Sequence, residues 1–284
     1  LAKPMIAGLK GGAAWVDAGY DGGVSLVSSA AYLSGLSTTL PTSMLSVELL
    51  LLPYGTMVDS VAKGLFAVGS GTDNRHLLLA KTQANTLTWT VATSGGDLKT
   101  VAAQASSLAP FRTNHLVATY GNSAAALYLN GVMTQSLGGI LTPATWLTSE
   151  FSLGRGLPGT LGVGSAALLR AHVWGRALTT NEVTLLYSAG TVPASSLLHA
   201  WYFEEGAGTV THDAQDRANL SLVGSAFWCA VESGPPYYPL FFGNLKTIEA
   251  QPDLAARTAL LHARGTLERL DRAIITTPLL ENTN

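Results

Sequence analysis

The sequence predicts an all-β protein: an antiparallel β-sandwich with an N-terminal arm and a C-terminal helix. Three observations carry that expectation. Short runs of apolar and β-branched residues recur at roughly 8–12-residue spacing, each bounded by Gly, Asn, Asp or Ser, which is the pattern of a sandwich. Thr86–Ala92 alternates Leu87, Trp89 and Val91 against Thr88 and Thr90, so it buries one face only. Asn130-Gly131 separates two such runs and supplies the two positive-φ positions of a type I′ hairpin turn.

Composition narrows the class. The 284 residues suffice for one large β domain with appendages. Charged residues make up 12% of the chain, against about 25% in ordinary globular proteins. The net charge is −2, and Lys and Arg are scattered through the first 245 positions, where neither a nucleic-acid patch nor a polybasic membrane segment appears; no nucleic-acid or membrane partner is expected. No apolar run approaches the ~18 residues of a membrane-spanning helix. A surface so poor in charge suits burial in an assembly; a merely bland surface is the other reading. Cys229 is the single cysteine, so no intrachain disulfide can form.

Taken in order, residues 1–14 have no period and carry a proline and three glycines, which reads as an arm. Asp21-Gly22-Gly23 is a turn before a strand at 24–27. Residues 45–52 form a continuous apolar run ended by Pro53, the mark of a strand buried on both faces. Glu48 sits inside it and must point outward or find a partner. Strands follow at 64–69, 76–81 and 86–92. The segments His-Leu-Val-Ala-Thr-Tyr (115–120), Ala-Ala-Ala-Leu-Tyr-Leu (124–129), Phe-Ser-Leu-Gly-Arg (151–155) and Ala-Leu-Leu-Arg-Ala-His-Val-Trp (167–174) continue the series. A helix is expected over 179–189, capped by Thr179 or Thr180, with Glu182 in its first turn and Gly190 at its end.

Residues 191–196 read as a linker. Beyond it, Trp-Tyr-Phe-Glu-Glu-Gly-Ala-Gly (201–208) opens a second β-like stretch reaching Trp228. Prolines 235, 236 and 239 keep the next segment out of a sheet interior, and Tyr237, Tyr238, Phe241 and Phe242 make it an aromatic docking segment. Residues 252–274 read as a helix, because Ala256, Leu260, Ala263, Leu267, Leu270 and Ile274 recur in a heptad-like stripe. That stripe would pack on the chain's own sandwich or on another subunit.

The series from His115 through "LYLNG", "LGR", "RAL" and "NEV..LY" resembles the laminin-G-like, concanavalin A-like jelly-roll family. The resemblance implies a jelly roll over roughly residues 15–190. In that family a "WxFdEgsGt" stretch normally begins the domain, whereas here its counterpart at 201–209 follows the helix. The segment 197–231 is therefore expected to complete the sandwich of residues 15–190 by circular permutation, or by exchange between copies. The divisions are an arm (1–14), the sandwich (15–231) and a docking and assembly segment (232–284).

Chemistry-bearing constellations are few. Glycosidases that the resemblance brings to mind place paired carboxylates on one strand face, about 5–5.5 Å apart when retaining. No Glu-x-Asp-x-Glu occurs here, Glu204 and Glu205 are adjacent and point to opposite faces, and Glu48 stands alone, so no enzyme is expected. The histidines at 76, 115, 172, 199, 212 and 262 have no metal-ligand spacing. Calcium is the one ion with candidate ligands, Asp213, Asp216 and Asn219, whose competing reading is turn stabilisation. For carbohydrate, Trp146 is the loop aromatic, while Trp89, Trp174 and Trp201 fall inside strand-like runs and belong to the core. No other cofactor is expected.

Low charge, segments at both ends and missing catalytic motifs point first to a structural subunit of a larger particle. A virion component such as a capsid-decorating or tail protein of a bacteriophage fits, partnered by its own copies or by other particle proteins. The alternative is a carbohydrate-binding adhesin or lectin-like module, calcium-dependent if the loop acids hold the ion. Either would reside on a virion or an extracellular surface.

Overall fold

The computed structural model describes residues 22–36, 40–70, 75–92, 98–105, 108–139, 150–157, 162–230, 243–250 and 259–265. The arm at 1–14, Trp146 and the aromatic segment of Tyr237, Tyr238, Phe241 and Phe242 lie outside these residues. The chain divides into two units, and the sandwich belongs to the one spanning Ala18–Ser233.

Two antiparallel sheets build the sandwich. The first contains β1 (Gly22–Leu26), β3 (Leu45–Pro53), β8 (Asn114–Gly121), β9 (Ala124–Leu129), β10 (Val132–Gly138), β12 (Ala166–Trp174), β13 (Leu197–Trp201) and β16 (Ala226–Ala230). Its order is β10-β9-β8-β3-β12-β1-β16, with β13 also on β12. The second contains β2 (Tyr32–Leu36), β4 (Lys63–Ser70), β5 (Arg75–Lys81), β6 (Thr86–Ala92), β7 (Leu98–Gln104), β11 (Glu150–Leu153), β14 (Val210–Thr211) and β15 (Leu220–Val223). It runs β14-β15-β2-β11-β4-β5-β6-β7.

Period-two patterning fills the space between the sheets. Leu45, Val47, Leu49 and Leu51 of β3 face inward with Leu116, Ala118 and Tyr120 of β8, against Leu87, Trp89 and Val91 of β6 and Phe66 and Val68 of β4. Trp89 donates its ring N–H to the Thr119 carbonyl at 3.0 Å, tying the sheets together with its polar end satisfied. Asn130 and Gly131 both take positive φ, 50° and 77°, as the β9–β10 turn requires.

The outer face of the first sheet is covered as well. Helix α1 (Thr180–Ala189) lays Val183 and Leu186 on Val117, Ala126, Tyr128 and Trp174. Thr179 caps it through the Glu182 N–H, Glu182 returns a bond from the Thr179 N–H, and Gly190 at φ 64° ends it.

Residues 197–230 enter both sheets of the same chain. β13 pairs antiparallel with β12 (Ala171↔Trp201, Val173↔His199), and β16 pairs with β1 from Gly22↔Ala230 to Leu26↔Ala226. β15 meanwhile pairs with β2. β1 and β13 share one edge of β12, β1 along 166–168 and β13 along 171–174. Trp201 is wholly buried, with its ring N–H on the Ala218 carbonyl at 2.9 Å. Phe203 is buried too, at a left-handed φ of 56° where the chain leaves the strand, an uncommon conformation for a bulky residue.

One sequence expectation is corrected. The region read as a helix holds β18 (Ala259–Gly265), which pairs antiparallel with β17 (Gly243–Ala250) as a separate two-stranded sheet. Leu260 stands opposite Glu249 and Ala263 opposite Leu245, so the stripe is not helical there; Ala256, Leu267, Leu270 and Ile274 lie outside the described residues. The reason is competition between local and non-local preference. Gly265 weakens a helix by about 1 kcal/mol relative to Ala, and Thr247 and Ile248 of β17 are β-branched partners that favour pairing.

Truncating Trp201 to Ala should lower the unfolding free energy by about 3–5 kcal/mol, measured by urea denaturation. A loss below 1 kcal/mol would show that residues 197–203 are peripheral to the core.

Candidate functional site

On the outer face of the first sheet, three neighbouring strands aim charged side chains at one point. In the register, Glu48 stands opposite His172 of β12, while Leu50 stands between Arg170 of β12 and His115 of β8. Side chains two apart share a face, so Glu48, Arg170, His172 and His115 converge. Glu48 Oε1 accepts from His115 Nε2 at 3.0 Å and from Arg170 Nη2 at 2.6 Å, and Oε2 accepts from His172 Nδ1.

Glu48, His115 and His172 are essentially inaccessible to water. Burial alone would push the Glu48 carboxyl up. Hydrogen bonds from His115 and His172, with the Arg170 charge beside it, more than reverse this and hold Glu48 well below the usual carboxylate range. A carboxylate only accepts, so His115 carries its proton on Nε2 and His172 on Nδ1. The opposite ring nitrogens, His115 Nδ1 and His172 Nε2, have no protein partner; nor does Arg170 Nε. Aromatic rings close around the imidazoles. Tyr202 and Trp174 meet His172 edge-on at 5.3 and 5.5 Å, and Tyr187 lies 5.6 Å from His115.

Beside this cluster opens a cleft of about 290 Å³, lined by Leu50, Thr113, His115, Arg170, Leu186, Tyr187 and Gly190. Sheet strands supply its floor and the last turn of α1 its wall. Tyr187 is 51% exposed, and a Cβ at Gly190 would meet nothing, so the helix end leaves the cleft open.

The loop acids do something other than the calcium reading supposes. Asp213 is buried. Its Oδ1 accepts from the Ala200 and Gln215 N–H groups at 2.9 and 3.0 Å, and its Oδ2 from His199 Nδ1, Arg217 N–H and Ala218 N–H at 2.7, 3.2 and 3.1 Å. Burial raises this carboxyl, and the donors around it bring it below its ordinary value. Asn219 Oδ1 accepts from the Asp213 N–H at 3.2 Å, and Asp216 is an exposed turn residue at φ 54°. Asp213, Asp216 and Asn219 therefore form no open ligand set: the Asp213 oxygens are occupied by five N–H donors, and the carboxylate latches the 213–219 loop onto β13. Among the described residues no group of three or more His, Cys, Asp or Glu is placed to hold a metal. Also among them, no helix is long and apolar enough to cross a membrane.

With this geometry in place, known proteins supply a frame. The family model of the concanavalin A-like lectin/glucanases superfamily matches residues 27–184. The chain belongs to that superfamily. No curated protein matches it. Among solved structures, a putative carbohydrate binding protein from Bacteroides ovatus superposes with a TM-score of 0.55 at 18% identity, over 74% of this chain and 60% of that one. The CBM40 of the Ruminococcus gnavus IT-sialidase bound to α2,3 sialyllactose gives 0.48 at 17%, over 58% and 95%. The heptameric SAP-like pentraxin of Limulus polyphemus gives 0.46 at 15%, over 72% and 96%. Identities this low speak to the fold alone. This superfamily member spans about 60% of the length of the Bacteroides ovatus protein.

Two outcomes test the site. Glu48→Gln should destabilise the fold by about 3 kcal/mol, the low end for a broken buried ion pair because Arg170 keeps some water. Since the folded-state pKa of Glu48 is depressed, its contribution is complete above its ordinary value of 4.5 and is lost as pH falls below it. The variant should accordingly show a shallower acid limb in a plot of unfolding free energy against pH. Calcium and EDTA should leave the thermal midpoint equal; a rise of several degrees with calcium would reveal a ligand set.

Proposed function

We propose that this jelly roll is a non-enzymatic glycan-binding module that works on an extracellular surface. The observation that carries the reading is the condition of Glu48. The superfamily joins lectins to glucanases by name, and glycoside hydrolysis calls for two carboxylates, one of them able to hold a proton. Glu48 is the only carboxylate on β3, β8 or β12, and both its oxygens are committed to cationic or N–H donors. Held ionised, it cannot serve as the acid. Glu205, whose Oε1 accepts from the Thr211 hydroxyl and the His212 N–H, braces a loop instead. The Bacteroides ovatus likeness supports the binding branch only through its fold.

This reverses the order of the two expectations drawn from sequence. The particle-subunit reading rests on low charge and on the end segments, and within the expected end helix Ala259–Gly265 is a strand paired with Gly243–Ala250.

A panel of oligosaccharides screened by isothermal titration should give binding to at least one member, with no release of reducing sugar from any. Turnover that is lost in Glu48→Gln would return the protein to the hydrolytic branch.

A further inference from the structure

We propose that β10 is a self-association edge: the β10 strands of two copies pair antiparallel across a two-fold axis and join the first sheets of two sandwiches.

β10 ends the first sheet and pairs only with β9. Every residue from Val132 to Gly138 is exposed, including the apolar Val132, Met133 and Leu137. A strand edge of this kind presents a row of backbone N–H and C=O groups. Folded proteins ordinarily blunt such an edge with a charge, a proline, a very short strand or a cover. The sequence Val-Met-Thr-Gln-Ser-Leu-Gly has neither charge nor proline.

The other sheet ends are protected. β14 is two residues long. β7 carries Lys99, and its Ala102 N–H donates to Gln135 Oε1 at 2.7 Å, so a β10 side chain closes the β7 edge. Ala226, Trp228 and Cys229 of β16 are half-buried, and the Trp228 ring N–H donates to the Gly208 carbonyl at 2.8 Å. β10 has one irregularity, a bulge at Thr134, whose hydroxyl turns back onto the Leu127 carbonyl at 2.8 Å. Gln135–Gly138 remains as a continuous stretch for pairing.

The charge of the edge selects its occupant. Pairing across a two-fold axis brings a strand against its own side chains, and like charges directly opposite are destabilising. An uncharged edge meets no such repulsion from a second copy, whereas it offers an acidic or a basic partner strand nothing to attract it. Because β10 covers β10, the contact consumes both edges and assembly stops at two copies.

Sedimentation equilibrium of the full chain over a wide range of concentration should show monomer and dimer and nothing larger. Ser136→Lys places the usual protective charge on each strand. It should shift the chain to monomer while keeping its circular dichroism, and Ser136→Thr should keep the dimer. Hydrogen exchange of the β10 amides should slow as concentration rises. A chain that stays monomeric at every concentration overturns the proposal and leaves the edge to a strand of some other protein. Species larger than two, a dimer that survives Ser136→Lys, or protection elsewhere without protection of β10 overturns it as well. If Ser136→Lys does not fold, exchange in the wild-type chain decides alone. None of these outcomes bears on glycan binding.

Discussion

A carboxylate placed on the central strand of a sheet, out of reach of water, has to be surrounded by donors. That constraint governs the outer face of this molecule. Glu48 draws one donor from β8 and two from β12, so the pairing of three strands is written into a single set of hydrogen bonds. A slip of one residue in either neighbour would turn its donors to the opposite face and leave a bare charge inside. Apolar residues alone would hold β3 in place less selectively, because Leu49, Leu50, Leu51 and Leu52 are interchangeable to a hydrophobic core.

Saturating Glu48 uses one nitrogen of each imidazole and one arm of the guanidinium, and leaves the others pointing away. The acid that could have done chemistry is spent on structure. Beside it lies a small opening lined by Leu50, Leu186 and Tyr187 together with His115 and Arg170.

Much of the sandwich was legible in the sequence because each relevant signal is local. Leu87, Trp89 and Val91 declare one face, Asn130-Gly131 declares a turn, and Thr179, Glu182 and Gly190 bracket the helix. The unbroken run of β3 announced a covered outer face, and Glu48 announced a missing partner. Which partner could not be read, since His115 and Arg170 lie 67 and 122 residues away and meet Glu48 only through register. A bulge between Leu168 and Arg170 shifts that register by one, which no pattern in β12 betrays. The loop acids admitted two readings for a related reason. Asp213 has the chemistry of a calcium ligand, but its five donors include four backbone N–H groups, which carry no sequence signature. The stripe failed differently at Leu260 and Ala263, because there a helical period does not outweigh pairing with a β-branched strand.

β1 and β13 lying end to end along β12 have a consequence for how the protein comes into being. β1 emerges early from the ribosome, yet its far edge is closed by β16, whose residues are about two hundred positions downstream. The first and last strands of the sandwich are neighbours, so β1 has no finished sheet to join until residue 230 has been made. Such non-local pairing slows folding and leaves strand edges open to other chains in the meantime. The nascent sandwich waits unfinished, and its maturation is set by the arrival of residues 197–230.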